Sequence, residues 1–193
     1  ILNGGLYFYN IKKQKISENY FAIIGTLTPL ISFLITLSLF LRMIEEKIIF
    51  KQHIFTWLNV ENLNVDMAFL GDNLSIFMSM FVTFVGWLIH IYAVGYMKDD
   101  EGFGKFFAYF NLFLASMLIP VLADNPIILF IGWEGVGVCS YLLIKFYYGE
   151  KNNVIAANKA FIVNRVGDFG FLLGVATLFF ALGQVDLSFS SIE

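Results

Sequence analysis

Charge is scarce in this sequence of 193 residues: 14% of the side chains are Asp, Glu, Lys or Arg, and the net charge is -3. About 25% is usual in a soluble domain, and a globule of this size needs charge to cover its surface. Cysteine is scarcer still, with Cys139 alone, and the histidines are His53 and His90. Such a set builds no disulfide framework, structural zinc site or iron–sulfur cluster. No basic run extends beyond Lys12-Lys13-Gln14-Lys15, which argues against a nucleic-acid partner. No Gly-rich phosphate loop opens a helix, and neither an internal repeat nor a low-complexity stretch is present. What remains is apolar. Hydrophobic residues make up 59%, 23 residues are Phe, and the mean hydropathy is +0.76. This is the composition of an integral membrane protein.

A helix crossing the hydrocarbon needs about 20 apolar residues. Charge-free runs of that order cover residues 19–41, 74–97 and 106–123. Two more runs carry charge within them: 127–144 contains Glu134, and 160–182 contains Arg165 and Asp168. Residues 1–9 are too short to span and read as the tail of a truncated helix. The chain opens on Ile1 and closes on Ser191-Ile192-Glu193, which reads as a fragment cut at both ends. The expected fold is an all-α membrane bundle of five complete spans plus a truncated one, with a small extracytoplasmic β-hairpin.

Basic residues orient the spans. Alternate crossings put Lys12, Lys13, Lys15, Lys98, Lys105, Lys145, Lys151 and Lys159 on one side, and Arg42, Lys47 and Lys51 on the other. The first side is therefore cytoplasmic. Asp124-Asn125-Pro126 is a very short turn with Asp124 as the expected N-cap and Pro126 at the helix start, so the spans flanking it are antiparallel neighbours. In the long outer segment Leu63, Val65, Met67 and Phe69 alternate with Asn64, Asp66 and Ala68, a strand pattern that residues 55–60 can pair with. Asp72 reads as an N-cap. The chain divides into an N-terminal membrane region (1–43), a hairpin segment (44–71), a helix and cytoplasmic loop (72–105) and a further helical region (106–193). The aromatic cluster of Phe106, Phe107, Tyr109, Phe110 and Phe113 reads as an interfacial belt facing lipid.

Ionisable groups at membrane depth cost at least ~2.5–3.5 kcal/mol each on insertion scales, and they mark pathways or pairs. Glu134, within Gly132-Trp133-Glu134-Gly135-Val136-Gly137, lies roughly 15 Å from the inner end of its span. The flanking glycines let another helix or water approach it. Desolvation favours the protonated form of a carboxylate and a nearby cation the charged form; that competition is what a proton-transfer site requires. A structural carboxylate bonded to a neighbour is the alternative. Arg165 and Asp168, three apart, share a helix face, and mutual pairing to lessen their insertion penalty is an equal reading. Asp168 lies roughly 12 Å from the inner end, a depth comparable to that of Glu134. His90 either shuttles protons or donates to a backbone carbonyl. Lys145 and Lys159 read as snorkelling residues at the inner edge, with Lys159 also a candidate for an inner half-channel. Cys139 carries no chemistry.

Taken in order, Asp72-Asn73-Leu74-Ser75, Phe106-Phe107-Ala108-Tyr109, Gly132 to Gly137 with Cys139 to Ile144, Lys159-Ala160-Phe161 and Asn164-Arg165-Val166-Gly167-Asp168 resemble the antiporter-like subunit L/subunit 5 family of proton-pumping NADH:quinone oxidoreductase (respiratory complex I). The likeness runs through nearly the whole chain and is strongest over residues 66–183. The Lys-Ala-Phe triplet suits bacterial or plastid members, and a bacterial inner membrane is expected. The resemblance implies a subunit without a redox cofactor, pumping protons while NADH, FMN, iron–sulfur clusters and quinone work in other subunits. It implies that Glu134 is the essential carboxylate, paired with a lysine beyond residue 193, and that Arg165 and Asp168 tune that pair. Partners would be other membrane subunits, above all the neighbouring antiporter-like one, and the bilayer. The inverted five-helix repeat of the family would begin at residue 106, leaving three of its helices here. A multisubunit Na+/H+ antiporter subunit, the membrane subunit of an energy-converting hydrogenase, and a membrane interaction protein whose charges only join helices are the rival readings.

Overall fold

Length and hydropathy decide the helices. Among the described residues five helices are long and apolar enough to cross a membrane: α1 (Glu18–Glu46), α2 (Asn73–Tyr96), α3 (Phe103–Val121), α4 (Pro126–Ile144) and α5 (Lys151–Leu182). Between α1 and α2 lie two antiparallel strands, β1 (Phe50–Val60) and β2 (Leu63–Gly71). The structure is a computed structural model that describes residues 5, 18–46, 49–60, 63–182 and 188–189. The expected truncated helix at residues 1–9 (Gly5 apart), the Lys12–Lys15 loop, Lys47 and the last residues lie outside the described residues. Five spans and a hairpin are what the composition and the alternation imply.

In α1 the buried residues Phe21, Gly25, Pro29, Thr36 and Met43 form one stripe at helical spacing, which packs on α2 and α3. Its hydroxyls are satisfied locally: Thr26, Thr28, Ser32 and Thr36 each donate to the carbonyl four residues earlier. The N-terminal ends of α1 and α3 and the C-terminal end of α2 meet around Phe21, Ala93, Met97, Phe103, Phe107 and Phe146. Phe107 is wholly buried there, so the aromatic cluster is in part a packed core and not only a lipid-facing belt. Lys105 lies 5.6, 5.8 and 5.2 Å from the ring centres of Tyr109, Phe146 and Tyr148, a cation held by aromatic faces at the inner edge. Tyr147 donates to Asp100 Oδ2 at 2.9 Å, and that bond pushes its phenol up from its ordinary pKa.

At the opposite end of the bundle Asp72 caps α2 as expected. The Ser75 N–H donates to Asp72 Oδ1 at 2.7 Å while the Asp72 N–H donates to Ser75 Oγ at 2.8 Å, a reciprocal capping box. Asp72→Ala is expected to destabilise α2 by about 1 kcal/mol, read as a lower thermal midpoint of the purified full-length protein. The cap of α4 differs from expectation. Asn125, not Asp124, accepts the Ile127 and Ile128 N–H groups at 3.1 and 2.9 Å. Pro126 holds the first helical position, so the cap is the residue just before it. Asp124 is free for another task and pairs with Lys51 Nζ at 2.9 Å.

That pair belongs to a wider seam between the hairpin and the α3–α4 turn. Leu70 N–H donates to Leu122 O at 2.8 Å, Asp124 N–H to Ala68 O at 3.2 Å, and Asn125 Nδ2 to Asp66 O at 2.8 Å. The turn thus adds a short bridge to β2. Pairing extends from Phe50↔Gly71 to Val60↔Leu63, earlier in β1 than the alternation alone showed. Register shifts at His53/Phe55 and Thr56/Leu58 bend the strand. Asp66 is held below the ordinary carboxylate pKa, first by a hydrogen bond from Thr56 and then by His53. A lowered folded value means that this contribution is present at neutral pH and lost as pH falls through it. Asp66→Asn mimics the acid form and is expected to speed amide exchange in the 66–70 segment at pH 7 (measured by mass spectrometry).

Candidate functional site

Close approach of two helices places the acidic centre. Gly132 sits against Pro120, and a Cβ there would lie 2.3 Å from the Pro120 Cδ; Gly135 sits against Ser116, with a Cβ 2.9 Å from its Oγ. Positions rise on α4 as they fall on α3, so the two helices run antiparallel, as the short turn requires. Small residues at the contact let the backbones meet. Glu134 lies between these two glycines and is carried toward α5.

On α5 the i, i+3 spacing sets Arg165 and Asp168 on one face, and that face meets α4. Arg165 Nη1 donates to Glu134 Oε1. The same nitrogen lies 3.8 Å from Asp168 Oδ2, within ion-pair range but beyond a hydrogen bond. The guanidinium therefore joins the two helices while also standing in ion-pair range of Asp168 within α5. Phe161 lies one turn before, its ring centre 4.7 Å from the guanidinium carbon. Asp168 is nearly buried, its side chain 9% exposed, while Glu134 is 20% and Arg165 45% exposed. Two carboxylates share one guanidinium, so with both of them ionised the cluster would carry one negative charge in excess. The three groups open into a cleft of about 300 Å³ between α3, α4 and α5, whose walls include Met117, Pro120, Trp133, Ser140 and Asn164.

Two other expected residues lie apart. Lys159 is exposed and nine residues before Asp168, roughly 13 Å along α5. The helix itself begins at Lys151, well before the apolar run; 32 residues make about 48 Å against about 30 Å of hydrocarbon, so the first turns project past the inner edge. His90 is wholly buried but packs on Phe107 and Phe110 of α3, away from the cleft. Sequence reasoning missed Met117, Pro120 and Ser140 as cleft residues. No signal in the sequence places Pro120 there: counting outward from the 122–125 turn brings it opposite Ile127, not Gly132.

Two family models match the chain: the N-terminus of chain 5 of NADH-ubiquinone oxidoreductase (complex I) over residues 57–107, and the NADH:quinone oxidoreductase/Mrp antiporter transmembrane region over residues 123–192. NADH-quinone oxidoreductase subunit L of Escherichia coli is 41% identical over 186 residues, 94% of this chain and 30% of that protein. The Mycobacterium tuberculosis subunit L is 48% identical over 134 residues, 69% of this chain and 21% of its own length. The chloroplastic NAD(P)H-quinone oxidoreductase subunit 5 of Adiantum capillus-veneris is 37% identical, covering 96% and 25%. The chain thus spans less than a third of the length of these curated relatives.

Among solved structures, an archaeal membrane-bound sulfane sulfur reductase superposes at a TM-score of 0.73 and 20% identity over 99% of this chain and 28% of that one. The Mrp complex of a Dietzia species gives 0.65 and 22% over 88% and 20%. Both share the fold. With the two models together matching more than half of its residues, and with relatives of the same name running through most of it, the chain belongs to the antiporter-like subunit L/subunit 5 family of NADH:quinone oxidoreductase.

Proposed function

We propose that this chain is part of a proton-translocating membrane subunit of NADH:quinone oxidoreductase, in which Glu134 carries the proton. The excess negative charge of the fully ionised Glu134–Arg165–Asp168 cluster supports this reading most directly. A net charge inside a bilayer is costly, and a proton bound by a carboxylate removes it. Arg165 Nη1 is bonded to Glu134 and 3.8 Å from Asp168, so a small swing of one guanidinium moves the positive charge between them. With the cation on Asp168, Glu134 binds a proton from water in the cleft; with the cation back on Glu134, that proton is released. A lysine elsewhere in the full-length subunit would drive the swing by bringing its own charge to Glu134. Lys159, at the inner edge, would feed protons toward the cleft, and His90 would shuttle them on the far side of α3.

In this reading NADH, FMN, the iron–sulfur clusters and quinone belong to other subunits, and the bound partners are the other membrane subunits, above all the neighbouring antiporter-like one. A bacterial inner membrane suits the bacterial relatives. The test uses the full-length subunit in its assembled complex. Glu134→Gln is expected to leave the complex assembled and to lower NADH-driven proton uptake at least tenfold per quinone reduced. Proton uptake at the wild-type ratio would reduce Glu134 to a packing group.

A second reading, a multisubunit Na+/H+ antiporter, is favoured by the transmembrane family model that the two groups share; an energy-converting hydrogenase has the same claim on fold alone. Purification from native membranes separates them. NADH-oxidising activity that copurifies with the subunit supports the oxidoreductase, whereas Na+-driven proton exchange without it supports the antiporter.

A further inference from the structure

Three side chains outside the Glu134 cleft share one face of α2: Ser79, Thr83 and His90, all wholly buried. Spacings of four and seven residues set them in one stripe. Thr83 Oγ1 lies 3.1 Å from Thr36 Oγ1 of α1. Thr36 donates to Ser32 O and Ser32 to Thr28 O, and Thr28 Oγ1 shares its one hydrogen between Ile24 O and Asn111 Oδ1 of α3, the latter at 2.7 Å. A line of hydroxyls therefore passes between three helices through runs that carry no charge. From Ser79 to His90 the stripe covers about 16 Å of α2, half the hydrocarbon thickness.

Both ends of this seam are unfinished. Ser79 Oγ and His90 Nε2 are buried with no hydrogen-bond partner among the described residues. His90 Nδ1 lies 2.7 Å from Gly86 O. A carbonyl only accepts, so Nδ1 carries the hydrogen and the neutral ring presents Nε2 as a bare acceptor. The ring is stacked on Phe110 at 4.1 Å and 15°, and Phe107 lies 6.2 Å from it, so it is not free to turn toward another donor. Helical backbone N–H groups around it are already spent within their helices. Water is the donor that completes such groups in protein interiors, where it makes two to four hydrogen bonds. Asn111, next to Phe110, and Thr28 offer further polar partners.

We propose that the polar seam between α1, α2 and α3 is an internal water-binding site, with His90 Nε2 and Ser79 Oγ as its two anchoring groups, separate from the Glu134 cleft. The site goes beyond the proton-pumping reading and does not depend on it. The test is an electron cryomicroscopy map of the assembled complex at a resolution that shows ordered water, for the wild type and for His90→Phe. Phenylalanine keeps the stack on Phe110 and removes the acceptor. Water within hydrogen-bond distance of Nε2 in the wild type, lost in His90→Phe, is the expected result. An Nε2 packed against apolar atoms, or bonded to a protein donor, would overturn it. If His90→Phe does not assemble, the wild-type map together with Ser79→Ala, expected to lose the water at the other end, decides the question. Either result stands whatever Glu134→Gln does to pumping.

Discussion

Replacing Arg165 with Leu is expected to cost the assembled protein up to about 3 kcal/mol, the lower end of the range for removing one partner of a buried ion pair, because the guanidinium is itself half-exposed in the cleft. The cost does not come from the lost attraction alone. It comes from what is left: Glu134 and Asp168 facing the same cleft with no cation between them, each at membrane depth. The few waters that a cleft of about 300 Å³ can hold screen them less than bulk solvent does at a surface. Arg165→Lys keeps the charge but loses the planar guanidinium that lies over Phe161, so a smaller loss is expected. The informative variant is the double substitution Arg165→Leu/Glu134→Gln, which removes one carboxylate along with the guanidinium and leaves Asp168 as the only charge of the three. Assembled complex per membrane protein, measured on native gels, is expected to be lowest for Arg165→Leu and to recover in the double variant. Equal loss in both would show that Arg165 serves a partner other than Glu134. A pair whose energies do not add is the signature of direct contact.

Much of this arrangement was legible from the residues. The five spans follow from charge-free length, the hairpin from alternation at Leu63–Phe69, and the cap of α2 from Asp72. Glu134, Arg165 and Asp168 stood out because charge inside an apolar run has few reasons to exist. Their partnership was not legible. Spacing places Arg165 beside Asp168, since both are on α5, but which helix lies opposite is a matter of packing that no local pattern records. The α4 cap shows the opposite case: the information was present and was misweighted. Asp and Asn cap equally well, and only the position of Pro126 separates them. Lys51–Asp124 was hidden for a third reason, a separation of more than seventy residues between a half-exposed lysine and an aspartate whose burial the sequence does not show. His90 stands out in the sequence as an ionisable group within an apolar run, while the hydroxyls that share its seam are individually unremarkable. Thr and Ser in membrane helices normally bond back to their own backbone.

Gly132→Ala is expected to be far more damaging than its single added methyl suggests. The Cβ would meet Pro120 Cδ at 2.3 Å, Pro120 N at 2.7 Å and Ile119 Cβ at 2.9 Å. None of these is the free end of a flexible side chain. The proline ring is fixed to its backbone, so relief requires α3 and α4 to separate. Overpacking in a tight core costs about 1–3 kcal/mol, and a rigid partner puts this substitution at the upper end. The displacement also acts on the site, because Glu134 is two residues along the same helix and its bond to Arg165 depends on where α4 stands. Gly137, with nothing within 4 Å of its would-be Cβ, is the contrast on the same helix. There alanine meets no neighbour and gains up to about 1 kcal/mol of helix propensity. Thermal inactivation of the full-length protein in its complex should therefore move down for Gly132→Ala and hold or rise for Gly137→Ala. Proton uptake should fall with the first in parallel with Glu134→Gln. If Gly132→Ala inactivates at the wild-type temperature and still pumps, the contact with Pro120 is not what positions Glu134.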